Sequence, residues 1–256
     1  MPITKTQQYL LCYHCNMSGV SFNSVDKSKV DPKIRPHKVY HKADVLFRSG
    51  QTFDAIFILR SGSAKSSALD NSGHEQISRF HYPGDLIGLD GFDNGYHAQS
   101  IKFLETSSVC RISLVELNKA MANSASIRLN LLQGMSHALN NEDKFLLSLN
   151  NMQSLQRLIS FLLALSSQFV KRGLSGKVFD LSMTRVDIAN YLGMAIETVS
   201  RLLTQLHNDH IIEVEKRRVK ILDLRKLHQY VLLEHVPHNL LAAKIRQPNC
   251  IKTSVA

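Results

Sequence analysis

Apolar and polar positions along this chain pass through three successive regimes. Between residues 39 and 113 they alternate in short runs such as 55–59 and 63–69, interrupted by turn triplets ending at Gly50, Gly62, Gly73, Gly84 and Gly95. Period-two runs punctuated in this way predict an antiparallel β-roll or barrel. A short helix is expected at 115–121. From 124 to 150 the period lengthens, and Leu132, Met135, Leu139, Glu142, Leu146 and Leu149 recur at alternating steps of three and four. That spacing predicts a long helix carrying a heptad seam, capped by Ser124 or Ser126, and suited to a parallel pairing with a second copy. The third regime reads as an amphipathic helix at 152–170, two short helices meeting at Gly193, strands at 211–214 and 219–222, and a last helix at 224–233. The fold class predicted is therefore α+β.

The stretch 181–206 carries the densest signal. Thr184 is placed to cap a helix, with Asp187 three residues on to complete a capping box, and Ile188 and Leu192 form its apolar stripe. Gly193 supplies the left-handed exit that a tight helix end favours. In the next helix Ile196, Val199, Leu203 and Leu206 fall on one face, and Glu197, Ser200, Arg201 and Thr204 on another. An ordinary αα-hairpin with a solvated face would account for two helices and a glycine. The residue types on the polar face suit base edges instead: Glu accepts from cytosine N4, Arg bridges guanine O6 and N7, and Ser contacts base or phosphate. Two strands follow, around a turn holding Lys216, Arg217 and Arg218, as a wing whose cations would lie near phosphates. Thr184, Arg185 and Thr198 complete the candidate DNA-contact set.

Charge supports this reading. The net charge of +10 divides unevenly, since residues 1–150 hold 16 basic and 13 acidic side chains and residues 151–256 hold 15 and 8. Seven of the ten surplus charges thus accompany the two-helix motif. A basic balance by itself would equally fit an acidic membrane surface, but coincidence with the motif favours double-stranded DNA. No apolar run is long enough to span a bilayer and no signal-peptide pattern opens the chain, so a cytoplasmic protein with no membrane partner is expected. No HExxH, GxSxG, Walker or dinucleotide fingerprint accompanies the twelve histidines, and the chain is not expected to be an enzyme.

The run 183–193 followed by Glu197-Thr-Val-Ser-Arg-Leu-Leu203 resembles the helix-turn-helix of the CRP/FNR transcription regulators, and Glu-x-x-Ser-Arg resembles the FNR branch. The resemblance extends over the β-rich region, which is similar to the family's cyclic-nucleotide-binding fold. It implies a homodimer in which Glu197, Ser200 and Arg201 read TTGAT-like half-sites of a palindrome. It also implies RNA polymerase as a partner, through a loop resembling 71–75. Ala195 departs from the pattern, because related chains carry Ser or Thr there as a helix cap. The domains expected are a cysteine-containing sensor segment (1–24), a β-roll sensor domain (25–123), a dimerisation helix (124–152), a winged helix-turn-helix domain (153–236) and a tail (237–256).

Cys12-x2-Cys15 has the spacing that lets two thiolates reach one metal or cluster, and the remaining cysteines are Cys110 and Cys250. On parity with Ile112, Cys110 reads equally as a core residue. The FNR resemblance implies an oxygen-labile [4Fe-4S] cluster, with Cys12, Cys15 and Cys110 matching three of its ligands. Ser21 stands at the remaining ligand position. A hydroxyl is harder to ionise than a thiol and is a harder donor, so a cluster here would be weakened, site-differentiated or absent. A thiol–disulfide switch among the same cysteines, another ligand, or a β-roll module without DNA binding are the alternatives. Zinc held with His14 suffers from that residue's poor reach. In nucleotide-binding members Gly-Glu-Leu and Arg-Ser hold ribose and cyclic phosphate; the equivalent stretches here are 88–92 and 97–100, with no arginine, so cyclic AMP is not expected. Two Glu142 carboxylates meeting across an apolar seam would repel and lose hydration. The resemblance gives an acidic residue of this helix the role of a brake on dimerisation.

Overall fold

A computed structural model describes residues 16–17, 20–21 and 38–232 of the chain. The predicted roll is built from β3 (Lys38–Tyr40), β4 (Val45–Phe47), β5 (Ala55–Ser61), β6 (Ala64–Leu69), β7 (Glu75–His81), β8 (Leu86–Ile87), β9 (Ser100–Phe103) and β10 (Ser107–Ser113). These form two four-stranded antiparallel sheets, β3-β10-β5-β8 and β4-β9-β6-β7. Alternate residues of both sheets turn inward, so Phe47, Ala55, Phe57, Leu59, Ala64, Ile101, Phe103 and Val109 meet as the roll's core. Gly62 makes the β5–β6 turn possible: its φ is +80°, and a Cβ there would lie 2.1 Å from Ser107 Oγ.

Behind the first sheet pack α1 (Leu114–Asn123) and α2 (Ala125–Asn151). Ser113 caps α1 in a capping box with Glu116. Phe53, Ile56, Leu117 and Leu131 form a second apolar cluster on this side, with Ile112 and Met135 against it. Cys110 is buried and pairs in register with Ile58, two residues from the Ile112–Ile56 pair, so its side chain is on the helix-facing side of β10. A short hairpin of β1 (Asn16–Met17) and β2 (Val20–Ser21) lies against α2 and sets Ser21 opposite Asn16. Cys12, Cys15 and Cys250 lie outside the described residues.

Helix α2 runs for 27 residues, about 40 Å at the α-helical rise of 1.5 Å per residue. The structure divides its heptad seam in two. Leu132, Leu139 and Leu146 are 62%, 63% and 56% exposed and form an apolar face left uncovered by the chain's own described residues. Met135 packs on the chain's own core, Leu149 is half-buried, and Glu142 accepts from Arg79 of β7 at 3.0 Å. A periodic seam is therefore not one surface here, because alternate members are taken up within the protomer.

The remaining elements are α3 (Ser154–Lys171), β11 (Val178–Asp180), α4 (Arg185–Leu192), α5 (Ile196–Asn208), β12 (Ile212–Glu215), β13 (Arg218–Ile221) and α6 (Leu224–Leu232). The wing gains a third strand, in the order β11-β13-β12. The largest apolar cluster belongs to neither half alone: Ile77, Phe80 and Leu104 of the roll join Leu158, Ile159 and Leu162 of α3 and the apolar faces of α4 and α5. Among the described residues no helix is long and apolar enough to cross a membrane.

Candidate nucleic-acid interface

The two-helix unit is fixed from within. Thr184 Oγ1 accepts from Asp187 N–H at 3.1 Å, and the Asp187 carboxylate accepts from Thr184 N–H at 2.9 Å, closing the capping box. Gly193 ends α4 at φ +61°, in the left-handed region. The Arg157 guanidinium donates to Leu192 O at 2.8 Å and Gly193 O at 3.4 Å, satisfying carbonyls that the helix end leaves open. Helix α5 then starts at Ala195 without any side-chain cap. Its Val199, Leu202, Leu203 and Leu206 are buried, which turns Glu197, Arg201 and Thr204 outward.

Ser200 is half-buried at the centre of that outward face, and Arg185 Nη1 approaches its Oγ at 3.4 Å. Arg185 at the start of α4 thus lies beside the outward polar face of α5, with Thr184 next to it in the chain. Thr198 is half-buried, one position round from the exposed stripe. An open groove of about 480 Å³ runs along Ser200, Arg201, Thr204, Gln205 and Asn208.

The wing departs from its expected role as a tip of three cations. Arg217 is exposed but folds back along the wing, and its guanidinium donates to the carbonyls of Leu181, at 2.7 Å, and Ser182. Arg218 pairs with Asp180 across β11–β13 at 3.1 Å, which raises its pKa through that hydrogen bond first and the carboxylate's charge second. All three are exposed, but Lys216 alone of them meets no partner among the described residues; its φ of +53° places it in the turn. The reason is local: Arg217 and Arg218 have carbonyls or a carboxylate within reach from β11 and the loop after it.

Contacts between the roll and α4 carry no sequence motif. Lys65 of β6, with its side chain 8% exposed, reaches Asp187 at 2.9 Å and Glu75 at 3.0 Å. Burial pulls the Lys65 pKa down, but hydrogen bonds to Asp187 and Glu75 outweigh it and the net shift is upward. For Asp187 burial works upward and is overcome by Thr184 and Lys65; for Glu75 it is overcome by Lys65 and Ser67; both carboxyls end below their ordinary values. The Asn190 side chain accepts from Ile77 N–H and donates to Glu75 O, both at 2.6 Å. Strand β7 is the edge of its sheet, and α4 thereby satisfies a row of backbone groups that would otherwise invite another strand. Tyr191 stacks on Phe145 of α2 with centroids 4.2 Å apart and tilts against Phe80 and Phe161. One signal for this docking was present in the sequence: a lysine within the otherwise small and apolar run 63–69 needs a buried counter-charge or an exposed edge.

Residues 156–230 match a family model described as the Crp-like helix-turn-helix domain, and residues 37–124 match the cyclic nucleotide-binding domain. The transcriptional activator protein Anr of Pseudomonas protegens is 37% identical over 216 residues, covering 83% of this chain and 88% of that protein. The anaerobic regulatory protein of Haemophilus influenzae is 35% identical over 220 residues, covering 84% and 86%. Among solved structures, FixK2 from Bradyrhizobium japonicum aligns with a TM-score of 0.70 at 26% identity, covering 76% of this chain and 96% of that one.

Proposed function

The chain belongs to the CRP/FNR family of DNA-binding transcription regulators and is not an enzyme, and from that membership we propose that it reads a palindromic TTGAT-like operator as a homodimer under the control of oxygen or redox state. The observation that carries the reading is the outward face of α5, where Glu197, Ser200 and Arg201 stand clear of a fully apolar inner face. In the major groove Arg201 would fork onto the guanine of the half-site and Glu197 would accept from a cytosine amine. Thr184, Arg185, Thr198 and Lys216 would hold register on the phosphates and specify no base. Leu132, Leu139 and Leu146 would meet their copies in the dimer, with RNA polymerase engaged from the outer surface of the bound pair.

The proposed division of labour follows the segments 1–24 (sensor), 25–123 (roll), 124–152 (dimerisation), 153–236 (DNA binding) and 237–256 (tail). Control by redox state rests on relatives named for anaerobic regulation and on the placement of Cys110. Its thiol is buried on the face of the roll that α1 and α2 cover, and the β1–β2 hairpin rests on α2. A [4Fe-4S] cluster takes four thiolates. Cys12, Cys15, Cys110 and Ser21 offer three and a hydroxyl, so this donor set does not complete the site, and no step here passes through a cluster. The same three thiols suffice for a dithiol–disulfide response to a low-molecular-weight disulfide.

Operator binding by Arg201→Ala, measured by fluorescence anisotropy on a palindromic duplex and a scrambled one, tests DNA reading. Loss of one bidentate base contact in each of the two half-sites should weaken specific binding by about 30- to 20,000-fold, the square of about 5- to 150-fold per contact, with an unchanged circular dichroism spectrum. Equal affinity for both duplexes in the unsubstituted protein, under reducing and oxidising conditions alike, would defeat the proposal. Iron and sulfide analysis of anaerobically purified protein decides separately between thiols and cluster.

A further inference from the structure

The wing and the start of α4 enclose a small pocket. It has a volume of about 220 Å³ and lies between the segment 181–185, α5 and the β12–β13 turn. Its floor is apolar: Leu181, Met183 and Leu203 are at most 6% exposed, and half-buried Val214 of β12 closes one side. Its rim is cationic, formed by Arg185, Lys216 and Arg217, and no acidic side chain lines it. Arg217 is fixed there by the carbonyls of Leu181 and Ser182. Among the described residues Lys216 meets no partner, and Arg185 reaches only Ser200 Oγ, at a long 3.4 Å. Two unlike demands thus meet in one cavity. The floor favours hydrocarbon over water, while the rim has charged donors left for an anionic oxygen. A DNA phosphate answers the rim but not the floor, since its oxygens carry no apolar surface.

We propose that this pocket is a site for a small monocarboxylate with a flat apolar body, and that its occupant excludes DNA from the same edge of the wing. The carboxylate would lie between Lys216 and Arg185, with the ring on Met183, Leu203 and Val214. Size limits the ligand: at ~30 Å³ per water the pocket holds about seven waters, room for one ring, and it falls short of the roughly 300–1,000 Å³ of sites for drug-sized molecules. The exclusion rests on Thr184, Arg185 and Lys216 meeting phosphates, as proposed above, whereas the binding itself does not. Such a ligand would act on affinity for every sequence, because it competes with backbone contacts and not with base reading.

The experiment is thermal unfolding of the full chain at fixed ionic strength, with acetate replaced stepwise by benzoate and, separately, with benzyl alcohol added. Acetate supplies the charge without the ring, and benzyl alcohol the ring without the charge. Tm should rise saturably with benzoate, by roughly 3–6 °C at ten times its Kd. Val214→Phe, which fills the floor, should give a flat response. At the same benzoate concentration the Kd for a palindromic and a scrambled duplex should both rise, by about 11-fold for each protomer that must be vacated. In spectra of protein with ¹³C-methyl methionine, the benzoate ring should shift the Met183 resonance and leave Met121 and Met135, which pack behind the roll, in place. Benzyl alcohol as effective as benzoate, a Val214→Phe protein that responds like the original, or an unmoved Met183 resonance overturns the proposal, as does benzoate binding that leaves both DNA affinities unchanged. Should Val214→Phe not fold, the Met183 resonance makes the decision. A protein that binds benzoate, loses affinity for both duplexes and never prefers the palindrome supports the site while defeating the operator reading.

Discussion

Replacing Lys65 by methionine should loosen the helix-turn-helix unit from the roll. Methionine keeps the apolar stem and removes the ammonium, stranding Asp187 and Glu75, whose side chains are 12% and 45% exposed. Breaking a buried ion pair by deleting one partner costs about 3–5 kcal/mol. Asp187 retains its bonds to Thr184 and Glu75 retains Ser67 at 2.8 Å, which places the effect at the low end, about 3 kcal/mol. For a chain of this size that corresponds to roughly 6–12 °C in Tm. Both carboxyls have folded pKa values below their unfolded ones. Their contribution is therefore complete above an unfolded pKa of about 4 and disappears as pH falls through the depressed folded values. The Lys65 pKa is raised, so its share is complete below about 10.4 and is lost only as pH rises through the folded value. Chemical denaturation of the unaltered protein, Lys65→Met, Asp187→Asn and the double variant, at pH 7 and near pH 3, closes a double-mutant cycle. Coupling should be clear at pH 7 and smaller at the acid end. A Lys65→Met protein as stable as the original at pH 7, or coupling unchanged by acid, would refute the reasoning.

Arg79→Ala should weaken dimerisation, measured by sedimentation, because Glu142 loses its partner at 3.0 Å; the pair is part-exposed, so about 1 kcal/mol per protomer is expected, and Glu142→Ala should restore the dimer. Lys216→Ala should lower DNA affinity by a similar factor on every sequence and reduce the salt slope by about 2, one contact from each protomer. Arg217→Ala should instead destabilise the wing by about 0.5–1.5 kcal/mol, seen in thermal melts, because the carbonyls of Leu181 and Ser182 lose a charged donor in a partly exposed setting. Ala195→Ser should raise stability by about 0.5–1 kcal/mol and leave operator preference unchanged, since α5 begins without a side-chain cap.

Local rules made the recognition unit readable. The Thr184–Asp187 box and the left-handed Gly193 depend on residues a few positions apart and appear in the structure, as does the apolar stripe of α5, except that Ile196 at its start is 42% exposed and Leu202 is buried beside Val199, Leu203 and Leu206. Alternation with glycine turns was enough to reveal the roll for the same reason. What spacing could not supply was the occupant of each surface. The heptad seam of α2 is a true periodicity, yet whether its members serve a second protomer or their own depended on distant elements: Phe53 and Ile56 against Met135, and Arg79 of β7 against Glu142. The wing cations failed similarly: a run of basic residues reads as a phosphate-binding tip until Asp180 and the carbonyls of 181–182 are brought alongside.

The two contacts that were least legible are joined through one hairpin. Lys65 and Phe80 pair across β6–β7 on the face toward α4, while Ser66 and Arg79, the next pair, lie on the opposite face toward α2. A displacement of α2 at Glu142 therefore acts on the strand pair that also holds Asp187 and Asn190 of α4. Phe145 of α2 stacked on Tyr191 of α4 gives a second, direct link. Such an arrangement makes protomer pairing and operator reading properties of one packed unit. In energetic terms, Arg79→Ala and Lys65→Met should couple in operator binding by 0.5 kcal/mol or more, as sites sharing a two-faced element do, whereas rigid independent domains would give additive losses to within about 0.3 kcal/mol.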